Sequence, residues 1–197
     1  MIATELPVQP RYAVCGTTPD VLADIFEPQN NLAVWQRSLP QLLNDAISHQ
    51  LSDGIRLNIT QEVPASGCLD VLNNITQLAD WPAALKQDIA HIVDMYTCLF
   101  DVDSAGLRLR TLDGAMCPKL HFDRVPCRLI TTYHGTGTQW LPQTGNEHQD
   151  TIQTLNSGDI ALLKGATWPD NEDGAIIHRS PPVMPGEKRL LLTLDAI

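Results

Sequence analysis

The chain has 197 residues, 43% of them hydrophobic and 18% charged, with a formal net charge of −10. That length supports one sizeable core, and the composition is that of a globular rather than a disordered chain. An acidic surface without any run of Lys or Arg excludes nucleic acid and anionic membranes as first partners, because phosphate binding needs clustered cations. No stretch reaches the roughly 18 apolar residues of a membrane span, and the N-terminus lacks a basic segment followed by an apolar one. The five cysteines, Cys15, Cys68, Cys98, Cys117 and Cys127, are odd in number and scattered. They do not make a disulfide framework, and the expectation is free thiols in a reducing cytoplasm.

In the first half, Thr18-Pro19-Asp20 reads as a cap, a proline at the first helical position and a short helix ending near Phe26. Residues 32–35 fit a brief strand. Ser38 is placed to cap a second helix with Leu42, Leu43, Ala46 and Ile47 on one face. Ile55, Leu57 and Ile59 alternate with polar residues, which is a strand pattern. A helix is expected near 70–78. The strongest helix runs over 82–100, where Leu85, Ile89, Ile92, Val93, Tyr96 and Leu99 recur at three- and four-residue spacing, with Asp80 or Trp81 at its cap.

The chain changes character near residue 103. Strands are expected over 106–111, 116–123, 127–134, 138–141, 159–164, 175–178 and 188–195, with Asp113-Gly114 as a hairpin turn and 142–151 as a polar loop. Short strands broken this often by Gly, Pro and Asp suggest a barrel or jelly roll. The final run Leu190-Leu191-Leu192-Thr193-Leu194 is apolar on both sides, so both faces must be covered. One would line the roll, and the other would pack under the 82–100 helix. The expected architecture is therefore α+β. Residues 1–103 form a helical region with one or two strands, and they buttress a double-stranded β-helix (jelly-roll or cupin-like) over 104–197, in one compact unit.

Residues two apart on a strand share a face, so His121 and Asp123 would stand side by side. With His178 from a distant strand they make two imidazoles and one carboxylate. That donor set leaves three open positions on an octahedral ion, the pattern of non-haem iron(II). Arg189 begins the last core strand and shares a face with Leu191 and Thr193. A buried Arg needs an anionic partner, and its planar fork suits a carboxylate. Cys127, Leu129, Thr131 and Tyr133 share a face of the strand after the His-x-Asp pair, and Tyr133 could add a hydroxyl to the same carboxylate. Arg128 falls on the opposite face, as a surface residue or a neighbour of the ligands.

The order His121-x-Asp123, Arg128, Thr131, Tyr133, a Gly-Thr-Gly-Thr turn, Gly158-Asp159, His178-Arg179 and Gly186-x-x-Arg189 resembles the iron(II)/2-oxoglutarate-dependent dioxygenases, especially the prolyl-hydroxylase-like branch, over roughly 105–195. The resemblance implies iron held by His121, Asp123 and His178. It further implies 2-oxoglutarate held by Arg189, with Tyr133 and Thr131 as helpers, in a hydroxylase whose small-molecule or protein side-chain substrate is not specified. The whole chain also resembles a bacterial family of unknown function, through MCPKLHFDRVPCRL at 116–129, GDIALLKG at 158–165 and HRSP at 178–181. Genes of that family often neighbour zinc-homeostasis GTPases.

Two other readings stand beside this one. Cys117, Cys127, His121 and His178 could form a tetrahedral Zn(II) site in a zinc-binding protein of metal homeostasis, although their spacing matches no standard zinc motif. Alternatively the roll is kept as a catalytically silent binding module. Lys119, on the same expected face as Cys117, is either a second carboxylate anchor or a rim residue. Trp140 and Trp168 either line the pocket mouth or belong to the core. His49, His91 and His148 are expected in solvent, and the acidic stretch 170–174 is expected to be a solvated turn.

Overall fold

The computed structural model describes residues 12–142, 152–171 and 174–197. The molecule is organised around its last strand, β10 (Arg189–Ala196), whose side chains are apolar on both faces. It pairs antiparallel with β4 (Ser104–Leu112) on one side and β5 (Cys127–His134) on the other. The sheet continues from β5 to β8 (Ile160–Lys164) and β2 (Asn30–Trp35), then to an edge strand β1 (Tyr12–Gly16) parallel to β2. Beyond β4 it ends in β3 (Asn58–Pro64). The order is thus β1-β2-β8-β5-β10-β4-β3.

A second sheet, β7-β6-β9, covers one face of the first. It consists of β6 (Gln139–Trp140), β7 (Gln153–Thr154) and β9 (His178–Arg179). Between the two sheets Leu32, Val34, Ile130, Leu155, Ala161, Leu163, Ile176 and Leu191 pack together, and this is the interior of the roll. The opposite face carries α1 (Gln41–Ser52), α2 (Cys68–Asn73) and α3 (Ala83–Phe100). There Leu190, Leu192 and Leu194 meet Leu85, Ile89, Ile92 and Tyr96 of α3 in the main core. The double-faced apolar run is covered as its composition demands: helices below, roll above.

Several elements differ from the sequence expectation. Residues 116–123 are not a strand, and only His121 forms a ladder bridge, with His178. Pro118 has no N–H to give to a ladder, and the Cys117 carbonyl is already taken by the Ser180 N–H at 2.9 Å. The turn at Asp113-Gly114 does not close a hairpin, because β10 lies between β4 and β5. Residues before 103 contribute β1, β2 and β3 to the same sheet as the later strands, where one or two strands were expected. The caps of α1 and α3 are Pro40 and Pro82, without side-chain capping, rather than Ser38 and Asp80 or Trp81. Residues 19–26 form a 3-10 helix, and 68–78 divide into α2 and a 3-10 turn. No described helix is long and apolar enough to cross a membrane.

Candidate metal centre

His121 and His178 exchange both backbone hydrogen bonds, at 3.0 and 2.8 Å, so their side chains are directly opposed across one bridge. Their ring centroids are 4.6 Å apart. Each ring nitrogen Nδ1 meets a backbone carbonyl two residues back: Lys119 O at 2.9 Å for His121 and Ile176 O at 3.2 Å for His178. A carbonyl only accepts, so both imidazoles carry their proton on Nδ1 and present the Nε2 lone pair. This is how outer hydrogen bonds orient metal-binding histidines.

Both Nε2 atoms face Asp123. Its Oδ2 lies 3.4 Å from His178 Nε2, and its Oδ1 lies 3.9 Å from His121 Nε2. One ligand atom from each of the three residues falls within 4.8 Å of the others. Donors about 2.1 Å from a shared ion at right angles stand about 3 Å apart, so a small closure brings this group onto one metal. Burial pushes the Asp123 carboxyl up. The Arg128 guanidinium and the two neighbouring imidazole rings outweigh that and hold it below the usual carboxylate range. The donor set therefore fits a divalent ion.

The backbone of Asp123 is fixed from below. Ala166 N–H donates to Asp123 O at 2.9 Å, and Gly165 N–H donates to Pro126 O at 2.8 Å. The carboxylate is fixed from the side by Arg128, whose Nη1 donates to Asp123 Oδ2 at 2.8 Å. The same guanidinium grips Asp195 through Nε and Nη2, at 2.7 and 2.8 Å. Arg128 thus faces the roll interior as a neighbour of the ligands.

Arg189 also points inward and is 1% exposed. Its Nε donates to Thr136 O at 2.6 Å, Nη1 to Ser180 Oγ at 2.8 Å and Nη2 to Thr132 Oγ1 at 3.3 Å. All three acceptors are neutral, and no carboxylate among the described residues pairs with it. Burial pulls the group down to about 10, so it stays charged at neutral pH. Ser180 is two residues beyond His178, about 6.6 Å along an extended chain. The unpaired guanidinium thus stands one short step from the histidine. Gly135 makes room for it: at φ +84, a Cβ there would meet Arg189 Cγ at 2.9 Å.

Other expected site residues lie elsewhere. Cys127, Leu129 and Tyr133 do share a face of β5, but it is the face under the helices. Register shows why: Thr131 and Leu129 stand opposite Leu192 and Leu194, whereas Thr132 and Ile130 stand opposite Leu191 and Thr193. Tyr133 donates to Asp88 Oδ2 at 2.6 Å on α3, and Thr131 Oγ1 is buried without a partner among the described residues. Neither Tyr133 nor Thr131 reaches a ligand of Arg189; Thr132 and Ser180 take that place. The tetrahedral zinc set fails for the same reason. Cys127 is buried on the helix side, Cys117 is exposed, and neither joins the metal group. Lys119 is exposed at the rim and contributes only its carbonyl. Trp140 is half-buried against the inner cluster, in register with His178. Trp168 packs outside the roll on Phe26 and Phe100. His49 and His91 are exposed. His148, most of the 142–151 loop, and Glu172 and Asp173 lie outside the described residues.

A family model described as "Protein of unknown function (DUF1826)" matches residues 16–195. Among curated proteins, none matches the chain. Among solved structures, it is similar to the dioxygenase for auxin oxidation 1 from Arabidopsis thaliana in its 2-oxoglutarate binary complex. The TM-score is 0.56 at 8% identity, over 95% of this chain and 92% of that one. It is also similar to a Pseudomonas putida prolyl-4-hydroxylase, with TM-score 0.53 at 13% identity over 90% and 97%. A putative oxygenase from Shewanella oneidensis aligns with TM-score 0.51 at 10% identity, over 95% and 89%. At these identities the likeness is one of fold, and the fold is that of the 2-oxoglutarate oxygenase β-roll.

Proposed function

The chain belongs to the DUF1826 family, whose description names no activity, and from its site we propose that it is an iron(II)- and 2-oxoglutarate-dependent oxygenase. One observation carries the reading. Two Nε2-presenting histidines and a carboxylate converge in a roll that also buries an arginine with no anionic partner among the described residues. The triad alone would suit zinc or iron equally. Arg189 separates them, because a lone metal leaves its charge uncompensated, whereas a metal-chelating dicarboxylate satisfies both.

When bound, iron(II) and 2-oxoglutarate supply the oxidation in which dioxygen, 2-oxoglutarate and a substrate C–H bond give succinate, carbon dioxide and an alcohol. His121 and His178 offer Nε2, with their tautomers set by Lys119 O and Ile176 O. Asp123 offers its carboxylate, held in one orientation by Arg128. Arg189, Ser180 and Thr132 form the receptor for the far carboxylate of the co-substrate. Arg189, Ser180 and Thr132 are all nearly shut off from solvent, which strengthens each charged contact.

The test is direct. Anaerobic iron(II) followed by 2-oxoglutarate should give a weak visible charge-transfer band, and admitted oxygen should yield succinate. Arg189→Gln should bind the metal as tightly as the parent and lose the 2-oxoglutarate band. Loss of metal and co-substrate together would count against the assigned roles. Stoichiometric zinc in protein purified without added metal, with no affinity for 2-oxoglutarate, would instead favour a zinc-binding protein.

A further inference from the structure

The inner face of the large sheet carries four arginines: Arg108 and Arg110 on β4, Arg128 on β5 and Arg189 on β10. In register, Arg110 faces Leu191 and Arg108 faces Thr193, so both share the inward side with Arg189. The carboxylates available there are Asp195 and, from the metal loop, Asp123. Glu62 lies exposed at the far edge on β3, where its Oε1 accepts from Ser104. Arg128 uses its donors on Asp123 and Asp195, and Arg108 Nη1 donates to Asp195 Oδ2 at 2.6 Å. In a chain of net charge −10, this one surface is left with two guanidinium groups that no carboxylate among the described residues compensates.

Arg189 is accounted for by the co-substrate. Arg110 is not. Its one hydrogen-bond contact among the described residues is Nη1 to the Met116 thioether, 3.7 Å away, a weak acceptor. Its Nε is shut off from solvent and has no partner among the described residues. Such a group costs free energy unless something else supplies the acceptor. The two arginines also serve different sides of β10. Arg189 turns towards β5, onto Thr132, whereas Arg110 stands on β4. Met116, lying against Arg110, is one residue from Cys117, whose carbonyl receives Ser180 N–H, and the same segment continues to His121. The free fork is therefore beside the metal loop but separate from the co-substrate receptor.

Resting on the oxygenase reading, we infer that the primary substrate carries a carboxylate, which Arg110 receives through its exposed Nη side, beside Met116. On that reading the metal and Arg189 would take both ends of 2-oxoglutarate, so the anion that completes Arg110 would belong to the molecule being oxidised. The planar fork suits a carboxylate bidentately, and a neutral amide at that place would leave the charge unmatched.

The experiment uses the full chain loaded with zinc as a diamagnetic stand-in and saturated with 2-oxoglutarate. It is screened by ligand-observed NMR against matched pairs of small carboxylates and their primary amides. Among binders, carboxylates should be preferred over their amides by about tenfold. Arg110→Gln should abolish the preference while leaving 2-oxoglutarate affinity unchanged, and Arg110→Lys should restore part of it. Absence of the preference in the parent overturns the inference. So does its survival in Arg110→Gln, or a loss of 2-oxoglutarate affinity in that variant. A parent that fails to bind 2-oxoglutarate counts against the oxygenase reading instead, and the fragment comparison between parent and Arg110→Gln is still read independently.

Discussion

Gly165 is required by Asp123 more than by its own backbone. A Cβ at 165 would stand 2.8 Å from Asp123 O and closer still to Val125 O. Both are main-chain atoms of a segment held by Ala166 N–H on Asp123 O and Gly165 N–H on Pro126 O, so neither turns aside easily. Gly165→Ala is expected to push the 123–126 segment outward and carry the carboxylate away from the imidazoles. A displacement of about 1 Å is enough to spoil a site of this kind. The variant should fold, lose about 1–3 kcal/mol to overpacking, and bind iron(II) about tenfold or more weakly. Anaerobic calorimetric titration measures this, and an undiminished affinity would show that the contact does not set Asp123. At this scale the sequence is legible where chemistry selects uncommon residue types: His121, Asp123, His178 and Arg189 announce themselves. Thr132 and Ser180 do not, since hydroxyl residues are common. Strand alternation groups Thr131 with Tyr133 correctly, yet it leaves open which group faces inward. That is decided by register against β10, which no local pattern contains.

At the scale of elements, α3 is tied to the sheet by a charged cluster as well as by its apolar stripe. Arg37, just after β2, reaches Asp88 on α3 with two hydrogen bonds, at 2.6 and 2.8 Å, and Tyr133 of β5 donates to the same carboxylate. Burial pushes the Asp88 carboxyl up, but the bonds and charge of Arg37, with Tyr133, outweigh it and hold the group below its ordinary value. A carboxyl depressed in the folded state stabilises the fold above its unfolded value of about 3.9. That stabilisation disappears as pH falls through the depressed folded value. The protein should therefore lose stability below about pH 4, and Asp88→Asn should flatten that loss while lowering stability at pH 7 by about 3 kcal/mol. Urea unfolding at several pH values checks it, and parallel curves for parent and variant would show that the cluster is not responsible. Elements of strong period, such as α3, β4, β5 and β10, are readable from the sequence. The 116–123 segment misleads because it alternates like a strand, while Pro118 and the demand of Ser180 for a carbonyl prevent a ladder.

On the scale of the whole molecule, the fold carries a cost that its own interior does not recover. Lowering a buried guanidinium to about 10 corresponds to a penalty on the order of 3 kcal/mol, at 1.36 kcal/mol per pKa unit. The sign is that of a base whose charged form is disfavoured by folding. Three hydrogen bonds to neutral acceptors return only part of it. Arg189→Met keeps the apolar stem and removes the charge, at the expense of leaving Thr136 O, Ser180 Oγ and Thr132 Oγ1 unpaired. The metal-free variant is expected to melt a few degrees higher than the parent, at about 2–4 °C per kcal/mol for a chain of this size. Iron(II) should raise both melting temperatures equally. 2-Oxoglutarate added after iron should raise only the parent's, by the equivalent of about 2.7 kcal/mol at a hundredfold excess over Kd. Differential scanning calorimetry under nitrogen reads all three steps. If the variant melts lower than the parent without ligands, Arg189 is a structural tie between the 135–136 turn and Ser180. If it melts higher and ignores 2-oxoglutarate, the arginine is held at a cost for the anion it awaits.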